Sequence, residues 1–190
     1  MARPLSEEKR NAILAAAAEL IAEQGIGSPV AKIAKQAGVA EGTIFTYFAD
    51  KNVLLNALYL WIKDDLASAT TTGLPSAKSL KLRCRHVWDR YIEWGAGGPS
   101  QRKAMSQLTV SDRITAVSRQ QGGAAFREVI AMLDEIADAS GSGRQSAAFI
   151  AAIMESLAET TLSFIAREPA ALAHYQQAGF EAFWGAVAKK

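Results

Sequence analysis

Thr43, Thr46 and Tyr47 place three hydroxyl groups close together in the stretch GTIFTYFADK, residues 42 to 51, interleaved with Phe45 and Phe48 and followed by Lys51. Hydroxyls can donate to phosphate oxygens or exchange hydrogen bonds with base edges, and a lysine is a point charge suited to a phosphate. Bond-making chemistry has weaker support in the residue types. His86 and His174 stand alone, and there is no His-x-x-x-His pair, glycine-rich phosphate loop or Ser-His-Asp set to which the sequence points. Cys84 is the single cysteine, which excludes an internal disulfide and a zinc cluster of several cysteines. The expected chemistry is therefore binding, with no catalytic residues, no metal and no cofactor.

Groups meant to be read from outside need a scaffold that turns them outward. Ser6 followed by Glu7 and Glu8 predicts a helix start, and Ile13, Leu14, Ala17, Leu20 and Ile21 then recur at helical spacing up to Gly25. Ser28-Pro29 predicts a second start, with serine as cap and proline at the first helical position, and with Ile33 and Ala34 inward. The turn Ala37-Gly38-Val39 leads into a third, short helix on which Ile44 and Phe48 face the other two. Glu41, Thr43, Thr46 and Tyr47 are left on the opposite arc. Two short helices joined this way form a helix-turn-helix pattern, although the same turn also suits a plain corner in a bundle. Asp50 caps a fourth, longer helix bearing Val53, Leu54, Leu58, Trp61, Ile62 and Leu66, and Lys51 sits at its start, where free amides favour an anion.

The segments ILAAAAELIAEQG and VAKIAKQAGVAEGTIFTYFADKNVLL, between Ile13 and Leu55, resemble the TetR-type transcriptional repressors. The shared features are a helix ending in glycine, an I-A-x-x-A-G-V-x-x-G-T-x-Y-x-Y/H-F run and an x-x-K-x-x-L continuation. The resemblance covers about the first third of the chain. It implies that Thr43 and Tyr47 contact the phosphate backbone, that Lys51 supplies an anion contact, and that Glu41, Gly42 and Thr46 lie at base edges with Phe45 also at the DNA surface. Ala40 stands where a capping serine is common, Phe45 replaces a tyrosine, and Ala31 gives the second helix no long basic reader, which leaves Lys32 and Lys35 as its phosphate contacts.

Bulk charge does not argue for this reading. The net charge is +2, and six basic and six acidic side chains balance over the first 51 residues, so a nucleic-acid role must rest on where charges sit. No leader-like start and no apolar run of about 18 residues is evident, so a soluble cytoplasmic protein without membrane association is expected.

Helices are expected at about 79 to 95, 99 to 108, 111 to 121, 124 to 139, 144 to 167 and 169 to 188. They are punctuated by TTTGLPSAKS (70 to 79), GAGGP (95 to 99), QQGG (120 to 123), GSG (141 to 143) and REP (167 to 169). The fold is expected to be all-α, of about nine helices. Residues 1–51 would form a three-helix DNA-binding domain, helix 51–71 a connector, and 72–190 a ligand-binding and dimerisation domain. Cys84, Trp88, Tyr91, Met105, Phe126, Ile130 and Met154 are candidate walls of a ligand chamber, whose presence the family resemblance implies; such residues line an ordinary core equally well. Phe149, Ile153, Leu157, Phe164, Tyr175, Phe180, Phe183 and Trp184 on the last two helices are candidates for a homodimer interface, again in line with the resemblance. The expected function is a ligand-responsive regulator, a repressor binding a palindromic double-stranded operator as a homodimer and released by a small-molecule effector. The alternative is an all-helical ligand-binding or scaffold protein that never touches DNA.

Overall fold

The computed structural model describes residues 6–75, 78–139 and 146–188, and among them every regular element is helical. In chain order these are α1 (Glu7–Gln24), α2 (Val30–Gln36), α3 (Glu41–Tyr47), α4 (Lys51–Thr71), α5 (Leu80–Gly97), α6 (Pro99–Thr109), α7 (Ala116–Ala124), α8 (Arg127–Ala139), α9 (Ala147–Arg167) and α10 (Leu172–Val187), with a 3-10 turn at Pro169–Ala171. Ten α-helices thus stand where about nine were expected. The Gly-Ser-Gly break at 141 to 143, the helix start at 144, and residues 76 and 77 of the expected hinge lie outside the described residues.

Two of the expected caps form as the sequence suggests. The Ser6 hydroxyl accepts from the Lys9 amide at 3.3 Å, and the Asp50 carboxylate accepts from the Asn52 and Val53 amides at 2.7 and 2.9 Å. Ser28 does something else. Pro29 itself occupies the cap position of α2, while the Ser28 hydroxyl is buried and lies within reach of the carbonyls of Gly25 (2.7 Å) and Leu20 (3.2 Å). The residue serves the carboxyl end of the preceding helix, where its amide also donates to the Gly25 carbonyl at 3.1 Å.

By packing, the chain divides into two compact units, Met1–Asp65 with Gly98–Ala124, and Leu66–Gly97 with Ala125–Lys190. The division expected at residues 51 and 72 is one of roles; packing groups α6 and α7 with the first three helices and most of α4. Within the first unit, Ile13, Leu14, Ala17 and Ile21 of α1, with Ile33, Ile44, Phe48, Leu54 and Leu58, are buried from water, and α2 packs on both α1 and α3. Val53, expected on that inner face, is 43 % exposed, and Leu55 and Tyr59 are buried instead. On α6, which packs along α1, Ala104, Met105 and Leu108 are buried, and the Gln107 amide donates to the Ile21 carbonyl at 2.9 Å.

The segment expected as a helix at 111 to 121 is displaced. Thr115 caps α7, its hydroxyl accepting from the Ser118 amide at 3.1 Å, so residues 111 to 115 form the preceding turn. The Gln-Gln-Gly-Gly stretch expected to break the chain is instead the body of α7. A Cβ at Gly122 would lie 2.9 Å from Tyr59 Cε1 of α4, so this glycine permits a close helix contact and ends nothing.

The second unit is organised around Trp88 of α5, which is fully buried. Its ring stacks on Phe183 of α10 with centroids 6.1 Å apart, and its indole N–H donates to the Gln176 carbonyl at 2.9 Å, the partner that a buried tryptophan requires. Gly179 makes room for it. Cys84, Met132, Ile150, Met154 and Leu162 complete the cluster. Contrary to the expectation that no long apolar run exists, α9 is by length and composition apolar enough to cross a membrane. One of its faces, with Ile150, Met154, Ala158 and Ile165, is buried in this cluster, and the helix packs on α5, α8 and α10.

Gly179→Ala should destabilise the protein by about 1–3 kcal/mol, because the added Cβ would meet the Thr161 hydroxyl and lie 2.6 Å from Trp88 Cζ2. Thermal unfolding checks this, and Gly185→Ala, whose Cβ meets nothing within 4 Å, is the matched control.

Candidate nucleic-acid interface

The corner between α2 and α3 is built by backbone bonds that only a left-handed residue allows. Gly38 has φ 67°, its amide donates to the Lys35 carbonyl at 3.3 Å, and the Val39 amide reaches back to the Ala34 carbonyl at 3.0 Å. This is the Schellman closure of α2, and it fixes the direction in which the chain leaves. On α3, Ala40 offers no side-chain cap, as its residue type requires. The helix holds by its inner face instead: Ile44 and Phe48 are 1 % and 2 % exposed, inside the first unit's core.

The opposite arc faces water. Glu41, Gly42, Phe45 and Thr46 are exposed, Phe45 to 46 %, and Thr43 and Tyr47 are half-buried along the margin. The structure thus brings the expected α3 residues onto one surface. The Tyr47 oxygen accepts from the Ser6 amide at 3.1 Å, which orients the ring and leaves the phenolic proton for an outside acceptor. Thr46 Oγ1 donates to the Gly42 carbonyl at 3.2 Å, so in this rotamer its lone pairs point outward as acceptors. An acceptor there matches the amino group of cytosine or adenine. Gly42 has open space where a Cβ would stand, so another molecule's backbone can approach closely.

The two expected lysines differ. Lys32 is exposed and its ammonium donates to Gln24 at 2.8 Å. Lys51 is half-buried and donates to the Ser28 carbonyl at 2.7 Å. Burial first, and the Arg113 cation second, hold its pKa below the ordinary lysine value. Lys51 therefore joins the start of α4 to the corner between α1 and α2, a structural task its position in the sequence does not show. Gln36, also on α2, ties that helix to Glu19 of α1. The only hint of the Ser6–Tyr47 and Lys51–Ser28 bonds in the sequence is the presence of polar atoms that must find partners; the 41 and 23 residues between the partners hide the pairing.

The residues expected as ligand walls separate. Cys84, Trp88 and Met154 are in the core cluster of the second unit, with Tyr91 and Phe126 packed against it. Met105 is buried in the first unit, and Ile130 is 38 % exposed on α8. Burial pushes the Cys84 thiol up to about 12, so it stays protonated and is no nucleophile in the folded protein. A groove of about 290 Å³ lies on the second unit between α5 and α10, lined by Lys81, Arg85, Phe180 and Trp184 among others, and uses none of the expected wall residues. Of the residues expected at a dimer interface, Phe180 and Phe183 are corrected: they are 3 % and 0 % exposed and pack on Trp88 within the same chain. Phe149 and Phe164 are exposed, and Ile153, Leu157, Tyr175 and Trp184 are half-buried.

Comparison with known proteins points the same way as the α2–α3 geometry. Residues 13–58 match the family model for bacterial regulatory proteins of the tetR family. Over 48 residues, a quarter of each chain, the sequence is 56 % identical to a fatty acid metabolism regulator protein of Bacillus subtilis (strain 168). The whole fold is similar to a solved structure from Shewanella sp. PV-4 assigned to the tetR family of transcription regulators. The TM-score is 0.82 at 26 % identity, covering 96 % of this chain and 99 % of that one. It is also similar to the transcriptional regulator FadR from Bacillus subtilis in complex with stearoyl-CoA, with TM-score 0.69 and 22 % identity, covering 91 % of this chain and 96 % of that one. Each of these relatives is named as a regulator, and the two solved structures as transcription regulators.

Ser28→Ala should lower stability by about 0.5–1.5 kcal/mol, since the hydroxyl's bond to the Gly25 and Leu20 carbonyls is lost while both keep a backbone donor. The midpoint of urea unfolding measures it. Cys84 should resist alkylation at pH 8 until denaturant is added, which mass spectrometry after timed iodoacetamide treatment reads directly.

Proposed function

We propose, from a chain whose residues 13–58 match the family model for bacterial regulatory proteins of the tetR family, that this protein is a ligand-responsive repressor that binds a two-fold operator as a homodimer in the cytoplasm. The observation that carries the reading is the outer arc of α3. Thr43, Thr46 and Tyr47 present hydroxyls from a helix whose other face is locked into the core. A seven-residue helix so held fits a major groove about 12 Å wide. In this reading Thr43 and Tyr47 hold phosphates, Glu41, Gly42, Phe45 and Thr46 meet the base edges, and Lys32 and Lys51 add charge at the margins. Lys51 keeps two N–H groups for a phosphate beyond the one given to Ser28.

Two copies are needed for a two-fold site, and α9 offers a surface for the partner. Phe149, Ile153, Leu157 and Phe164 lie along an outward stripe whose end phenylalanines are 54 % and 41 % exposed. A soluble protein gains by covering such a stripe. Phe180 and Phe183 are no longer part of this proposed interface. Readers on two copies about 34–36 Å apart would enter successive major grooves on one side of the duplex. A small-molecule effector that prefers another spacing releases the DNA, because a ligand shifts an equilibrium only by its differential affinity. The resemblance to FadR makes long-chain acyl-CoA thioesters the first compounds to screen.

Selection of bound fragments from random DNA, followed by footprinting, tests the reading; it expects a protected pattern with two-fold symmetry. A protein that runs as a single subunit and retains no oligonucleotide would instead be a helical scaffold. On the selected operator, Tyr47→Phe should weaken binding to all sequences alike by about threefold to tenfold, the value of one hydrogen bond. Thr46→Ala should change which bases are preferred, as a repeat selection would show. Equal, sequence-independent losses in both variants would refute the division between backbone and base contacts.

A further inference from the structure

The surface at the start of α4 contains a cation that the first third of the chain does not supply. Arg113 sits in the turn between α6 and α7, and this turn is fixed against α4 by a paired contact. The Asn56 side chain donates to the Arg113 carbonyl at 2.9 Å and accepts from the Thr115 amide at 2.9 Å. Arg119 holds the other side, donating to the carbonyls of Thr109 and Ser111 at 2.7 Å each, and Ile114 is buried beneath. The Arg113 side chain itself is exposed and donates to Asn52 Oδ1 at 3.3 Å, one residue from Lys51.

Two like charges stand together here. Lys51 and Arg113 are like charges near enough that the second depresses the pKa of the first. Both lie at the start of a 21-residue helix, whose positive dipole end the Asp50 carboxylate caps. No carboxylate forms an ion pair with either among the described residues: Asp50 is occupied with the Asn52 and Val53 amides, and Asp112 is exposed in the turn. An anion brought from outside relieves the repulsion between the two cations, and a guanidinium, with its fork of donors, grips a phosphate in two places.

We infer that Arg113, carried by the α6–α7 turn and held there by Asn56 and Asn52, is a DNA-backbone contact that extends the interface beyond the helix-turn-helix to a phosphate beside Lys51. The inference rests on the DNA-binding reading above. It makes a residue from the far side of the sequence part of the reading surface. It also gives Asn56 a positioning role, since that side chain sets the path of the turn.

The test uses the full chain and the duplex selected by the parent protein, with affinity measured across a salt series. Arg113→Gln should make the slope of log K against log[salt] shallower by about 0.9 for each bound subunit, with affinity about fivefold lower per subunit near 0.15 M salt and base preference unchanged. Arg113→Lys should keep the parent's slope, and Asn56→Ala should weaken binding in the same direction as Arg113→Gln. Melting temperatures of the variants show that each is folded. An unchanged slope in Arg113→Gln, or a lost slope in Arg113→Lys, overturns the contact while leaving the α3 reading intact. A parent that retains no duplex even at low salt overturns both.

Discussion

The carboxyl end of α1 is where the first unit is held together. Its carbonyls there keep backbone donors, Ile21 from the Gly25 amide at 2.9 Å and Gly25 from the Ser28 amide at 3.1 Å, and side chains from other elements add a second bond to them. Donors come from separate parts of the chain: the Ser28 hydroxyl to Leu20 and Gly25, and the Gln107 amide of α6 to Ile21. Lys51, at the start of α4, closes the set by bonding the Ser28 carbonyl. Each such added bond contributes about 0.5–1.5 kcal/mol, so together they are comparable to a sizeable part of the stability of a small unit. The corner therefore fixes where α2, α4 and α6 stand relative to α1, and α3 inherits its position from them.

That inheritance explains why so short a helix can present a defined surface. Seven residues without a side-chain cap would not stay helical alone. The Schellman turn at Gly38 sets its entry, Ile44 and Phe48 hold it by their burial, and the Ser6 amide fixes the Tyr47 ring. The outward hydroxyls are then pre-arranged, so less entropy is lost when they meet a partner.

In the second unit the organising side chain is Trp88. Its stack with Phe183, its contact with Phe180 and its hydrogen bond to Gln176 draw α10 against α5, and Gly179 lets the ring approach. Those aromatic residues are thereby committed to the interior. What α9 and α10 leave outward is a narrower set, with Phe149 and Phe164 at its ends.

The sequence alone determined the helical class, the caps at Ser6 and Asp50, the turn at Gly38 and the two-faced character of α3. All of these follow from residues within about one or two turns of each other, where periodicity and backbone preference act directly. Tertiary structure decided which surface each ambiguous residue serves. Ser28 caps backward, Gly122 packs where it was expected to break a helix, Phe180 and Phe183 face inward, and the 98–124 segment joins the first unit, carrying Arg113 to Asn52 beside Lys51. A polar atom's partner or an aromatic ring's neighbour can lie dozens of residues away. Pattern spacing shows that such a group must be satisfied, whereas packing in three dimensions selects the group that does it.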